Sequence, residues 1–163
     1  MTRNIEAVGA DRRILMDAYY LDMAKEFAKN SPDRSSKVGC VIVRDEEILV
    51  RGYNTFPMGI RTDIEERYER PLKYSVTEHA ERNAIFAAAR YGISLNMATL
   101  YCGSTLAGPP CAECTRAIIQ SGIKRVVGSI GDDDPSTWEA RWKDSMMISL
   151  DMLKEAGIIF ETV

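Results

Sequence analysis

Gly92, Gly122 and Gly157 each close a stretch that reads as helix, and a short run rich in apolar and β-branched residues follows each of them. Glycine just past the last periodic residue is a common helix stop, because it takes left-handed backbone at no steric cost. The pattern predicts helices over 78–91, 111–121 and 136–156. It predicts strands over 98–102, 124–130 and 158–163. Strands that alternate with helices in this way need crossover connections, and so run parallel.

The first half of the chain is built differently. Ile14, Leu15, Ala18, Leu21, Met23, Ala24 and Phe27 recur at helical spacing, giving a helix over 11–30 that Asn30-Ser31-Pro32-Asp33 stops. Val38 to Val43 and Ile48 to Tyr53 are β-branched runs joined by Asp45-Glu46-Glu47, which predicts an antiparallel hairpin. The polar stretch 54–77, with Pro57, Gly59 and Pro71, is long for a connection in a compact domain and is expected to be functional or mobile, with a short helix near 63–70. Together these elements predict an α/β fold: a three-layer α-β-α arrangement around a mixed five-stranded sheet with an N-terminal antiparallel hairpin. One domain is expected over 1–163, with its site at the carboxyl ends of strands.

Two short motifs open predicted helices: His79-Ala80-Glu81 and Pro110-Cys111-Ala112-Glu113-Cys114. Cys111 and Cys114, at i and i+3, share a helix face in a first turn, where the positive end of the helix dipole favours thiolates. Pro110 suits a helix start, where its missing N–H costs nothing. His79 is the chain's one histidine, so His79, Cys111 and Cys114 are the candidate ligands of a single zinc ion. Structural zinc is closed by four protein ligands, whereas catalytic zinc keeps one position for water, whose pKa falls toward ~7. A fourth protein ligand would have to be Cys40, Cys102 or a carboxylate, and both cysteines sit within apolar strands, where they read as core. Glu81 would lie beside the open position and is the candidate proton carrier. Glu113 reads as a solvated or capping residue.

Composition narrows the partners. The 163 residues are 45% hydrophobic and 28% charged, with a net charge of −3. A phosphate-gripping face is usually basic, so a small substrate is expected ahead of nucleic acid. Residues 1–9 hold no apolar signal stretch, and no run approaches the ~20 apolar residues of a membrane span. A cytoplasmic location with no membrane partner is expected, and the cysteines then read as ligands or core rather than disulfides.

The paired motifs, H-x-E followed by P-C-x-x-C, are those of zinc-dependent nucleobase deaminases. From about Tyr19 to Phe160 the chain resembles the cytidine and deoxycytidylate deaminase superfamily, and within it the dCMP deaminases. The resemblance is carried by Ser31–Val43, Arg51–Gly59, Glu78–Ile85, Pro110–Cys114 and Ile118–Val127. It implies a cytidine deaminase-like fold, one catalytic Zn²⁺, and hydrolysis of dCMP to dUMP and ammonia in pyrimidine nucleotide metabolism. It also implies a homo-oligomer, often a hexamer. Asn54 would hydrogen-bond the sugar or base, the backbone at Ala80 would receive the ring, and the loop ending at Pro109 would border it. A nucleotide also needs a phosphate site, for which Arg34, Ser35 and Lys37 are candidates.

The sequence departs from the family in two places. The connection between Tyr101 and Cys111 is longer than the family's usual one, and Thr55 replaces the small residue usual after the asparagine of the Gly-Tyr-Asn segment. A deaminase of a nucleoside, a free base or a modified pyrimidine therefore stands as an alternative. Less favoured are a deaminase of a base in tRNA or single-stranded DNA, and a non-enzymatic interaction protein with a closed zinc site.

Overall fold

The computed structural model describes residues 2–106 and 108–163, with backbone only for 2–11. Its helices are α1 (Thr2–Ala28), α2 (Leu72–Val76), α3 (Ala80–Tyr91), α4 (Ala112–Ser121) and α5 (Ala140–Glu155). Its strands are β1 (Val38–Arg44), β2 (Glu47–Tyr53), β3 (Thr99–Ser104), β4 (Arg125–Gly128) and β5 (Ile159–Thr162). The five strands form one mixed sheet in the order β2-β1-β3-β4-β5. β1 is antiparallel to β2 and β3, and β3, β4 and β5 run parallel. The expected α/β sheet and N-terminal hairpin are both present.

Alternation along β1 and β3 explains the layers, because successive side chains leave opposite faces of a strand. Cys40, Ile42 and Leu100 pack with Ala80, Ala84, Ala88, Ile118 and Leu153 of the second helical layer. Val41, Val43 and Tyr101 pack with Tyr20 and Ala24 of α1. Helices therefore cover both faces of the sheet. Among the described residues, no helix is long and apolar enough to cross a membrane.

Several boundaries differ from expectation. The first helix extends back to Thr2, before the periodic stretch begins, and ends at Ala28. The hairpin turn is two residues, not three: Asp45 and Glu46 have φ of 53° and 66°, the left-handed pair of a type I′ turn. The terminal helix starts at Ala140 rather than 136, because turn chemistry holds the residues before it. There the Asp134 carboxylate accepts from Ser136 N (2.9 Å) and the Thr137 hydroxyl donates to Asp134 O (2.8 Å). Trp138 therefore lies in the loop, where its indole donates to Asp132 O (2.8 Å). β4 ends at Gly128, short of the expected 130. The polar connection contains one 3₁₀ turn, Glu65–Tyr68, and also the helix α2, which periodicity did not reveal.

Close approach between β2 and α3 fixes the start of α3. A Cβ on Gly52 would lie 2.4 Å from Ala80 O and 2.8 Å from Ala84 N. Both are backbone atoms, so the helix would have to move. Gly52→Ala is expected to destabilise the protein by about 1–3 kcal/mol, the usual range for overpacking a core. Urea unfolding of the two proteins checks this, and an unchanged midpoint would show that α3 can give way.

Candidate active site

His79 and Cys111 occupy equivalent positions. Each is the residue immediately before its helix, in extended conformation (ψ of 154° and 162°), and neither side chain caps its own helix. Both side chains are thus free to face a common point. The α4 start is supported from another element, since Ala112 N donates to the Ser145 hydroxyl of α5 (2.9 Å). Cys114 follows in the first turn of α4 and is fully buried.

The three side chains meet. His79 Nδ1 is 3.4 Å from Cys111 Sγ and 3.4 Å from Cys114 Sγ. The three potential ligand atoms all lie within 4.8 Å of one another. A tetrahedral zinc with the usual Zn–N and Zn–S bond lengths needs an N···S separation of about 3.6 Å. The donor set and its spacing therefore fit such an ion. Among the described residues this trio is the only cluster of its kind.

Electrostatics couple the group. The hydrogen bond with Cys111 pushes His79 up to about 9 against the effect of burial. The hydrogen bond from Cys114, helped by His79, pulls the Cys111 thiol down to about 4. Burial pushes the Cys114 thiol well up. Glu81, buried in the first turn of α3, is raised above the ordinary carboxylate range, chiefly by burial.

His79, Glu81 and Cys111 line a pocket that also includes Asn54, Ala80, Cys102, Pro109, Lys73, Tyr74, Arg141 and Trp142, while Cys114 lies buried behind it. The structure thus brings Asn54, Ala80 and Pro109 to the same opening as Glu81. Asn54 is heavily engaged: Oδ1 accepts from Val38 N (2.8 Å), and Nδ2 donates to Ser36 O (2.8 Å) and Asp33 Oδ2 (3.4 Å). One Oδ1 lone pair remains, so toward a ligand its amide can only accept.

Arg34, Ser35 and Lys37 are not among the lining residues. Arg34 is exposed, forks onto Glu65 and lies over the Tyr68 ring. Ser35 Oγ donates to Asp33 Oδ1 (3.1 Å) and accepts from Lys73 Nζ (2.5 Å). Lys37 Nζ donates to the carbonyls of Lys29 and Ser31. Cys40 is core, as expected, and its thiol donates to Ala80 O (3.2 Å). Cys102 is only partly buried and reaches the pocket wall. Glu113 is exposed and pairs with Arg82 (3.2 Å), which also pairs with Glu78 (2.8 Å), stitching the two helix starts together.

Four lining residues carried no functional signal in the sequence. Lys73 of α2 is buried against Asp33 (2.7 Å). Tyr74 accepts a hydrogen bond from Arg141 (2.9 Å). Trp142 stands edge-on to His79 (5.9 Å between ring centroids) and to Tyr74 (6.1 Å), and its buried indole N–H has no partner among the described residues. At helical spacing with Met146, Leu150 and Leu153 in the predicted helix 136–156, Trp142 reads as core, and the long connection that holds Lys73 and Tyr74 is the only sequence pointer to those two.

The family described as the cytidine and deoxycytidylate deaminase zinc-binding region matches residues 15–130. The chain belongs to that family. Its members are hydrolases that act on C–N bonds. An uncharacterized deaminase in the luxG 3′ region of Aliivibrio fischeri is 34% identical over 139 residues, covering 85% of this chain and 87% of that protein. The deoxycytidylate deaminase of Schizosaccharomyces pombe is 35% identical over 120 residues, 68% of this chain. Those residues span 36% of the length of the fission yeast protein. The crystal structure of dCMP deaminase from the cyanophage S-TIM5, in complex with dCMP and dUMP, superposes with a TM-score of 0.69 at 27% identity, covering 91% of this chain and 96% of that one. These likenesses place the fold among cytidine deaminase-like proteins.

Proposed function

We propose that the protein is a zinc-dependent hydrolytic deaminase of a cytosine nucleotide, with dCMP its leading substrate and dUMP and ammonia its products. The observation that carries this is the convergence of His79, Cys111 and Cys114 at 3.4 Å contacts, with Glu81 in the same pocket. The names of the fission yeast and cyanophage relatives point to the same substrate. His79 Nδ1, Cys111 Sγ and Cys114 Sγ would hold the ion, which supplies Lewis-acid activation of water near neutral pH.

The protein's own groups do the rest. The Glu81 carboxylate takes a proton from the attacking water and delivers it to the ring nitrogen next to the reacting carbon. It then carries the second proton to the departing amine, which leaves as ammonia. The burial that raises Glu81 brings its affinity for a proton closer to that of the groups it serves. Ala80 backs the ring. The free lone pair of Asn54 suits a sugar hydroxyl, and Arg141 and Lys73 are the cations that line the pocket for a phosphate.

The second reading, a deaminase of a nucleoside, free base or modified pyrimidine, is favoured by the longer loop, whose Leu106, Gly108 and Pro109 line the pocket. A panel separates the two. Zinc-loaded protein should release ammonia from dCMP with a kcat/KM at least about tenfold above that for deoxycytidine or cytosine. Arg141→Ala should erase most of that preference, since one charge-assisted contact contributes about 1.5–3 kcal/mol. Equal turnover of dCMP and deoxycytidine would favour the second reading.

A further inference from the structure

Asp132 is buried at the carboxyl end of β4, 7% exposed, and no ion-pair partner faces it among the described residues. A carboxylate taken out of water without a cation is costly, so its hydrogen bonds must account for it. Oδ2 accepts from Ser129 N (2.6 Å), within its own turn. Oδ1 reaches across to a different segment and accepts from Gly108 N (3.3 Å). Asparagine would cap the turn equally well, so the second oxygen is what joins the two loops.

Gly108 is held from its other sides as well. A Cβ there would lie 2.5 Å from Met146 Sδ and 3.3 Å from Trp138 Cδ1. Trp138 is itself fixed by its indole bond to the Asp132 carbonyl. Gly108, Pro109 and Met146 all line the pocket, and Pro110 leads directly into Cys111. The loop that runs into Cys111 is thus clamped at Gly108 by one buried acid and the residues around it.

We propose that Asp132 is a positioning residue that fixes the loop at Gly108, and through it the pocket wall, so that it governs which substrate is held without touching the reacting atoms. This rests on the deaminase reading above. Burial, the largest influence, pushes the Asp132 carboxyl up to about 6, against the pull of the Ser129 and Gly108 amides. Asp133 beside it pushes the same way, Lys25 of α1 opposes, and the Cys102 thiol of β3 also lies near enough to feel it. Below that pH the protonated carboxyl has one acceptor fewer for the two amides, and the tether to Gly108 weakens.

Three variants test this, Asp132→Ala, Asp132→Asn and Gly108→Ala, with steady-state kinetics on dCMP, deoxycytidine and cytosine. Asp132→Ala should raise KM for the best substrate at least about tenfold while kcat stays within about threefold, and should narrow the preference among the three. Gly108→Ala, which crowds Met146 with Asp132 intact, should raise KM in the same way. In the wild type KM should climb as pH falls through about 6. A nucleotide's own phosphate titrates near ~6, so the pH profile is compared with Asp132→Asn, which should lose the part of the rise that belongs to Asp132.

Unchanged KM in both Asp132→Ala and Gly108→Ala overturns the proposal. So does a parallel loss of kcat, zinc content and thermal stability, which would mark Asp132 as merely structural. Should Asp132→Ala not fold, the pH comparison with Asp132→Asn decides. If the wild type releases ammonia from none of the three compounds, the deaminase reading fails on its own. Calorimetric binding of dUMP then carries the Asp132 comparison, with Kd raised at least about tenfold in the variants as the expected result.

Discussion

Glu81→Gln is expected to retain one zinc per chain and to lose about 10²–10⁴-fold in kcat, the range that positioned proton transfer contributes. The amide keeps the size and the hydrogen-bonding oxygen of the carboxylate but cannot accept and return a proton. Glu81 is not one of the three side chains that converge at 3.4 Å, so removing its acid leaves that cluster whole. Elemental analysis and ammonia release on the same preparation check both halves. Near-normal turnover would refute the role assigned to Glu81. Loss of zinc along with activity would instead make the residue part of the metal's holding.

The largest effect on stability is expected at the far end of the sheet from the pocket. Asp17 of α1 is almost fully buried and accepts two bonds from Arg125 of β4 (2.8 and 2.6 Å) and one from the Tyr101 hydroxyl of β3 (2.7 Å). Arg125 also pairs with Glu161 of β5. Asp17→Ala leaves an arginine with half its partners and an orphaned tyrosine hydroxyl. The expected cost is about 3–5 kcal/mol, read from urea unfolding. Burial pulls Asp17 upward, but Arg125 and Tyr101 outweigh it and hold its pKa below the usual carboxylate range. A depressed folded-state pKa contributes stability above the unfolded value of about 3.9, and that contribution is lost as pH falls. The difference between wild type and variant should therefore shrink on acidification below about pH 4. A difference under about 1 kcal/mol at neutral pH would place the anchorage of α1 in its apolar contacts instead.

Legibility in the sequence followed distance along the chain. The two motifs were readable because the residues that meet are close to helix starts, and helix starts have local chemistry. The hairpin and the glycine-stopped helices were readable for the same reason. What was hidden is what long-range packing decides. Trp142 matched a core pattern because helical spacing does not distinguish a sheet-facing side chain from a pocket-facing one. Arg34 and Ser35 are adjacent in sequence to β1, yet a glutamate and a lysine 31 and 38 residues away occupy their polar atoms. Trp138 fell out of the terminal helix because Asp134, Ser136 and Thr137 bond to one another before a helix can begin.

β1 and β3 pair in unbroken register from Val38 opposite Ser104 to Val43 opposite Thr99. Thr105 N still donates to Lys37 O (3.1 Å), and past it the chain runs to Cys111 outside the strand. The helix starts that carry His79 and Cys111 are anchored outside that connection: Gly52 packs against α3, Asn83 Nδ2 of α3 donates to Tyr53 O (2.9 Å), and Ser145 accepts from Ala112 N. For engineering, Leu106 is the position to vary, since it lines the pocket while Gly108 is clamped and Pro109 is buried. A substitution there should alter the fit of the proposed substrate while leaving the cluster of His79, Cys111 and Cys114 as it is.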